Sequence, residues 1–274
     1  MTFDIRAGAK LNLTLDIVSK REDGYHNIAS EMQEIDLADD VSVTLTPRAG
    51  IRIECDNPKI PTGIKNVAFR AAKLFLEETG LYVGVKIVIR KRIPLMGGLG
   101  GSSTNGAAVL KALNHMQEEF QGKCYDDDTL RGFAARLGAD AAFSLVGGRA
   151  KCEGIGDIIT PLPDLPPQFY TIIQPNFCLD TREGYALYDR NPNIERKSAN
   201  VFQDVYNDPR INAICDRLTA HGAKSAVMTG SGSAVFGVFE SADAAQSATE
   251  LFPKDDFPFR CVAQSVPAVP AVKV

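Results

Sequence analysis

No two cysteines in the 274-residue chain stand at Cys-x-x-Cys spacing; Cys55, Cys124, Cys152, Cys178, Cys215 and Cys261 are scattered singly. Neither a zinc site nor a disulfide framework is indicated, and the thiols read as reduced, as in a cytoplasmic protein. No apolar run approaches the roughly 18 residues needed to span a bilayer. The opening MTFDIRAGAK lacks the basic end and apolar core of a signal peptide, so the chain is expected to stay where it is made. Excess positive charge is also missing. Thirty Lys and Arg stand against 34 Asp and Glu, a net charge of −4, which removes any bulk attraction to nucleic acid or an anionic membrane. Internal repeats and low-complexity tracts are absent. What remains is a globular protein, expected in the cytoplasm, with no bulk pull toward nucleic acid or membrane, although a local basic patch stays open. Its length suits one large domain or two modest ones.

What is present is a strand-rich first half. Lys10 to Val18, VSVTLT, IRIECD and VGVKIVIRKRI alternate apolar and polar residues, as strands with one wet face do. Between them NVAFRAAKLFLEETG predicts a helix, with Asn66 as N-cap and Gly80 as C-terminal stop. DDTLRGFAARLGAD predicts another, with Leu130, Phe133, Ala134 and Leu137 on one face, Gly138 as stop and Asp140 just beyond. The proline-rich PLPDLPPQF marks a boundary between two halves, 1–160 and 161–274. Beyond it NDPRINAICDRLTAHG and SADAAQSATEL predict capped helices, and SAVMTGSGSAVFGVFE predicts strand, turn and strand. The order of elements suggests an α+β layer, not a strict βαβ repeat.

Three stretches carry candidate chemistry. PLMGGLGGSST, from Pro94 to Thr104, lies between a predicted strand and a predicted helix, a context that delivers an anion to a helix N-terminus. It is not a Walker A loop, since no Gly-Lys-Ser/Thr follows, and it does not fit the dinucleotide spacing. Close packing of glycines is the alternative explanation. MTGSGSAVFG, from Met228 to Gly237, is a second Gly-Ser cluster that a hairpin turn alone would explain. Tyr25 and His26 follow an Asp-Gly turn, where a lone His is ordinarily a surface residue.

Taken in order, AGAKLNLTLDIVSKREDGYHNIASEMQEIDLAD, KRIPLMGGLGGSSTNGAA, RLGADAAFSLVGG, EGIGD and MTGSGSAVFG resemble the GHMP kinases from Ala7 to about Gly237. The Lys-x-Asn-Leu and Gly-Tyr-His pairing is similar to the branch that phosphorylates a cytidine diphosphate-linked methylerythritol in non-mevalonate isoprenoid synthesis. The resemblance implies an α+β fold in two lobes, the first like ribosomal protein S5 domain 2 and the second ferredoxin-like, with ATP and Mg²⁺ required. Lys10 then matches the catalytic lysine and Asp140 the general base. Gly98, Leu99, Gly100, Gly101, Ser102 and Ser103 would wrap the ATP phosphates, and Asn66 would lie near the adenine. Asn12, Tyr25, His26, Thr181 and Tyr185 would hold the acceptor, with Tyr25 and Tyr185 sandwiching the cytosine. Gly230, Ser231 and Gly232 form the second glycine loop. Protein ligands of the metal stay unassigned. Met96 and Ser102 depart from the family pattern. Another GHMP kinase acting on a mevalonate-like or sugar-like alcohol, and a non-catalytic sensor on the same fold, are the alternatives.

Overall fold

The computed structural model describes residues 1–268. Its N-terminal part is built on one long antiparallel ribbon, β1 (Thr2–Lys20) and β2 (His26–Thr46), of which the alternating stretches Lys10–Val18 and Val41–Thr46 are segments. β2 serves two neighbours, pairing through Asp40–Thr46 with β4 (Gly84–Arg90) and through Ser30–Gln33 with β5 (Arg149–Glu153). β3 (Gly50–Cys55) lies beyond β4 and β6 (Ile158–Pro161) beyond β5, completing six strands. β3 and β4 are parallel and joined by α1 (Val67–Thr79), so a single βαβ crossover sits inside an otherwise antiparallel sheet. Asn66 caps α1 and Gly80, at φ 66°, ends it, as the sequence predicts.

α2 (Gly101–Gln121), α3 (Asp127–Ala135) and α4 (Ala139–Val146) join α1 on one face of this sheet. Phe75, Val43, Ile87 and Leu110 are buried together there, each large side chain contributing about 1.5–3 kcal/mol. The helix expected to run to Gly138 stops at Ala135, and Asp140 lies in the first turn of α4 instead of beyond a helix end. ADAAFSLV escaped notice because eight residues with one polar pair, Asp140 and Ser144, are too few to reveal a period.

The second sheet runs β10 (Phe259–Gln264), β7 (Phe169–Gln174), β9 (Val235–Phe239), β8 (Ser225–Met228), all antiparallel. α5 (Thr181–Arg190), α6 (Val201–Tyr206), α7 (Pro209–Ala220) and α8 (Ala242–Thr249) complete this part. Asp208 caps α7 with Pro209 in its first turn, and Ser241 caps α8. A separate apolar cluster joins Ala9, Leu11 and Ile35 of the ribbon to Tyr170, Ile172 and Phe236 of the second sheet. That cluster fixes the two parts against each other and so fixes the walls of the cleft between them.

Candidate active site

Ala9, Lys10, Leu11 and Asn12 are all buried, which a strand with one wet face would not produce. Ala9 and Leu11 enter the joining cluster, while Lys10 and Asn12 line a cleft of about 760 Å³. Register shifts between Gly8 and Ala9 and between Asn12 and Thr14 bracket the segment, re-aiming the side chains between them. The open edge of β1 is covered by both glycine loops: Lys10 N–H donates to the Leu99 carbonyl (3.1 Å) and Asn12 N–H to Thr229 Oγ1 (2.9 Å).

The side chains are equally constrained. Lys10 Nζ donates to Asn12 Oδ1 (2.5 Å), Asn12 Nδ2 to Ser30 Oγ (2.8 Å), and Ser30 Oγ–H to the Thr14 carbonyl (2.6 Å). Lys10 Nζ also stands 3.5 Å from Asp140 Oδ2. The lysine side chain is 5% exposed and the aspartate 30%, so the carboxylate is the partner open to a ligand. A cation and a proton acceptor thus share one point of the cleft.

The glycines divide by function. Gly100, at φ 73°, is the cap position of the 21-residue α2 and supplies no side-chain cap, while Gly101, Ser102 and Ser103 of its first turn line the cleft. Unsatisfied N–H groups and about half a positive charge therefore face the cavity. Gly98, at φ 76°, lines the cleft too and is pressed against the second loop: a Cβ there would be driven into the Thr229 carbonyl oxygen, and one on Gly230 would stand 2.8 Å from the Gly98 carbonyl. The two glycine loops lie against each other. The buried Asn200 holds the second by donating from Nδ2 to the carbonyls of Met228 (2.6 Å) and Gly230 (2.8 Å). Thr181 Oγ1 meets Ser231 Oγ at 2.6 Å, bringing α5 to the same loop. Met96 adopts φ 58° with its side chain exposed on the cleft rim, and Ser102 lies within the helix turn.

At the other end the two tyrosines expected around the base differ in burial. β2 begins at His26, so pleating turns His26 inward and leaves Tyr25, in the preceding turn, 62% exposed. Tyr185, which lines the cleft, stacks on His26 (centroids 4.7 Å, planes 18° apart) and meets Phe202 edge-on. His26 Nε2 lies 2.7 Å from Asp189 Oδ1, and Lys20 Nζ donates to Asp189 Oδ2 (2.6 Å). Asn66 accepts from Ala68 N–H (2.9 Å), donates to the Pro61 carbonyl (2.8 Å) and does not line the cleft. Leu99 is buried in the joining cluster and contributes its carbonyl to Lys10.

Lys20 and His26 hold the Asp189 carboxyl below the usual carboxylate range. Burial pushes the Tyr185 hydroxyl up, with Asp140 adding to the effect. Burial likewise pushes the Cys152 thiol up to about 12; Asp140 raises it further while Lys10 opposes. Among the described residues no group of three or more His, Cys, Asp or Glu could hold a metal ion. No described helix is long and apolar enough to cross a membrane.

The family model for the GHMP kinases N terminal domain matches residues 66–148, and that for the GHMP kinases C terminal matches 192–254. A 4-diphosphocytidyl-2-C-methyl-D-erythritol kinase of Geobacter metallireducens is 36% identical over 263 residues, 90% of this chain and 92% of that protein. One of Caldicellulosiruptor saccharolyticus is 38% identical over 270 residues, again 90% and 92%. A crystal structure of 4-(cytidine 5'-diphospho)-2C-methyl-D-erythritol kinase superposes with a TM-score of 0.80 at 30% identity, covering 96% of this chain and 99% of that one. The chain belongs to the GHMP kinase family, and within it to the family of the 4-diphosphocytidyl-2-C-methyl-D-erythritol kinases.

Proposed function

We propose that the protein transfers the γ-phosphoryl group of ATP to the 2-hydroxyl of 4-diphosphocytidyl-2-C-methyl-D-erythritol in the non-mevalonate isoprenoid pathway, in the cytoplasm. The observation that carries this reading is the meeting of Lys10, Asp140 and the uncapped N-terminus of α2 in one cleft. Phosphoryl transfer needs positioning and charge stabilisation more than covalent help. The N–H groups of Gly101, Ser102 and Ser103 hold the phosphates, and Asp140 accepts the proton of the attacking hydroxyl. As the acceptor oxygen bonds to the γ-phosphorus, the bond to the β,γ-bridging oxygen breaks and ADP leaves. Lys10 supplies a cation beside the transferring group, with Asn12 fixing its ammonium and contacting the acceptor.

The donor set fits Mg²⁺ carried in on phosphates, which uses one or two protein oxygens in place of a full cage; Asp140 and the Ser103 hydroxyl are the residues that would reach it. Bound there, it would neutralise charge on the phosphoryl oxygens. Tyr185 and His26 recognise the base, and Thr181 and Tyr25 contact the same acceptor. The boundary near 160 divides the chain into the two lobes of the reading, and Asn66 serves the adenine end through the helix it caps.

Competition kinetics tests the substrate. CMP and CDP should raise the apparent KM for the acceptor without competing against ATP. Failure of cytidine nucleotides to compete, with turnover of mevalonate or a simple sugar, would overturn the substrate while leaving the kinase class.

A further inference from the structure

Asp189 lies outside the residues given a role above, yet it makes the closest polar contact to the ring that stacks on Tyr185. Tyr185 and Asp189 are one turn apart on α5, so the same helix face supplies a stacking ring and a carboxylate to His26. Tyr188 closes the socket edge-on, 6.1 Å between centroids. Lys20, opposite His26 in the ribbon register, takes the second carboxylate oxygen. Three elements therefore fix this imidazole, far more than a surface histidine needs.

A carboxylate is an acceptor only, so its partner nitrogen must carry the proton. With Nε2–H donated to Asp189, a ring that carries one proton presents Nδ1 as an acceptor, and Nδ1 has no hydrogen-bond partner among the described residues. At position 4 a cytosine offers an amino donor, whereas a uracil offers a carbonyl acceptor. An accepting Nδ1 satisfies the first and opposes a lone pair to the second.

We infer that Asp189 is a positioning residue that sets the tautomer of His26 and thereby makes the cleft select cytidine over uridine nucleotides. The inference rests on the functional reading above, in which His26 meets the base. It adds the residue that decides what His26 can recognise, by the logic that specificity needs a repulsive element as well as an attractive one.

The test compares inhibition constants of CDP and UDP, against the acceptor, in the wild-type protein and in Asp189→Leu, which is similar in size and cannot accept a hydrogen bond. The wild-type protein should prefer CDP by about tenfold or more, and the variant should lose most of that ratio while its KM for ATP holds. Lys20→Met, which leaves the Asp189–His26 bond in place, should keep the ratio. Equal weakening of both nucleotides in Asp189→Leu, with the ratio preserved, would mean a merely structural role and overturn the inference alone. Absence of any cytidine preference in the wild-type protein would overturn it together with the functional reading. Nitrogen-15 shifts of His26 in the wild-type protein give a second readout that needs no variant: a proton on Nε2 with Nδ1 bare is expected, and a proton on Nδ1, in the neutral ring or in the imidazolium, overturns the inference.

Discussion

At the Lys10 end of the cleft, main chain and side chains are held by neighbours from both sheets, through the Leu99 carbonyl, Thr229 Oγ1, Ser30 and Asn200. At the Tyr185 end, Tyr25 stands in solvent on a hairpin turn, and Tyr185, on the cleft, stacks on His26. The contrast matches what each end has to do. Stabilising a transferring phosphoryl group demands donors fixed in advance, because their reorganisation would consume the advantage they give. Holding a flat base needs contact area, which a hairpin tip can supply once the base is there.

Four perturbations probe this difference, from largest effect to smallest. Asp140→Asn keeps the shape of the Lys10 end and removes its proton acceptor; kcat should fall on the order of 10²-fold or more while ATP binding by calorimetry persists. Near-normal turnover would deny Asp140 its role. Gly98→Ala and Gly100→Ala impose the same left-handed backbone strain, but only the first also meets a fixed carbonyl, that of Thr229. Denaturant unfolding should show a loss of about 3 kcal/mol for Gly98→Ala and about 1 kcal/mol for Gly100→Ala, with the latter lowering kcat through contact with the Lys10 stem. Equal losses would mean that the loops do not brace each other. Thr229→Val strips a buried N–H of its acceptor, and a loss of about 2 kcal/mol is expected, with nothing comparable from Thr181→Val on the exposed side of the same loop.

Tyr25→Ala should be the mildest at the level of the fold. Its melting temperature should match the wild type, ATP kinetics should be unaltered, and the KM for the cytidyl acceptor should rise severalfold, by up to about 1 kcal/mol of lost stacking. An effect on stability instead would place Tyr25 in the Lys10 end's kind of rigid structure. Alkaline pH acts on the fold from beneath. The Cys152 thiol is raised from an ordinary value of 9.0 to about 12, so its contribution is complete below 9.0 and is lost as pH rises toward 12. At about pH 10 that loss is about 1 kcal/mol, and Cys152→Ala should remove it from the pH profile of denaturant unfolding.

The Lys10 end was also the legible end. Alternation showed that β1 is a strand, Gly and Ser clustering next to a helical period showed an anion-ready turn, and the order of the motifs joined them. Two things stayed hidden. α4 is eight residues long with only Asp140 and Ser144 polar, so Asp140 read as lying past a helix when it begins one. Long-range partners such as Asn200, Thr229 and Asp189 carry no local pattern, although Asn200 does precede an apolar helix as a capping residue would. The stack of His26 on Tyr185 was hidden as well, since motif spacing does not encode which residue at a strand start turns inward.

The most direct test of the whole account is phosphorus NMR of the purified protein with ATP, Mg²⁺ and 4-diphosphocytidyl-2-C-methyl-D-erythritol. A new phosphomonoester resonance, coupled through carbon 2 and growing one for one with ADP, is the predicted result. ADP released without that resonance, or a phosphomonoester formed only on mevalonate or a sugar, would contradict it.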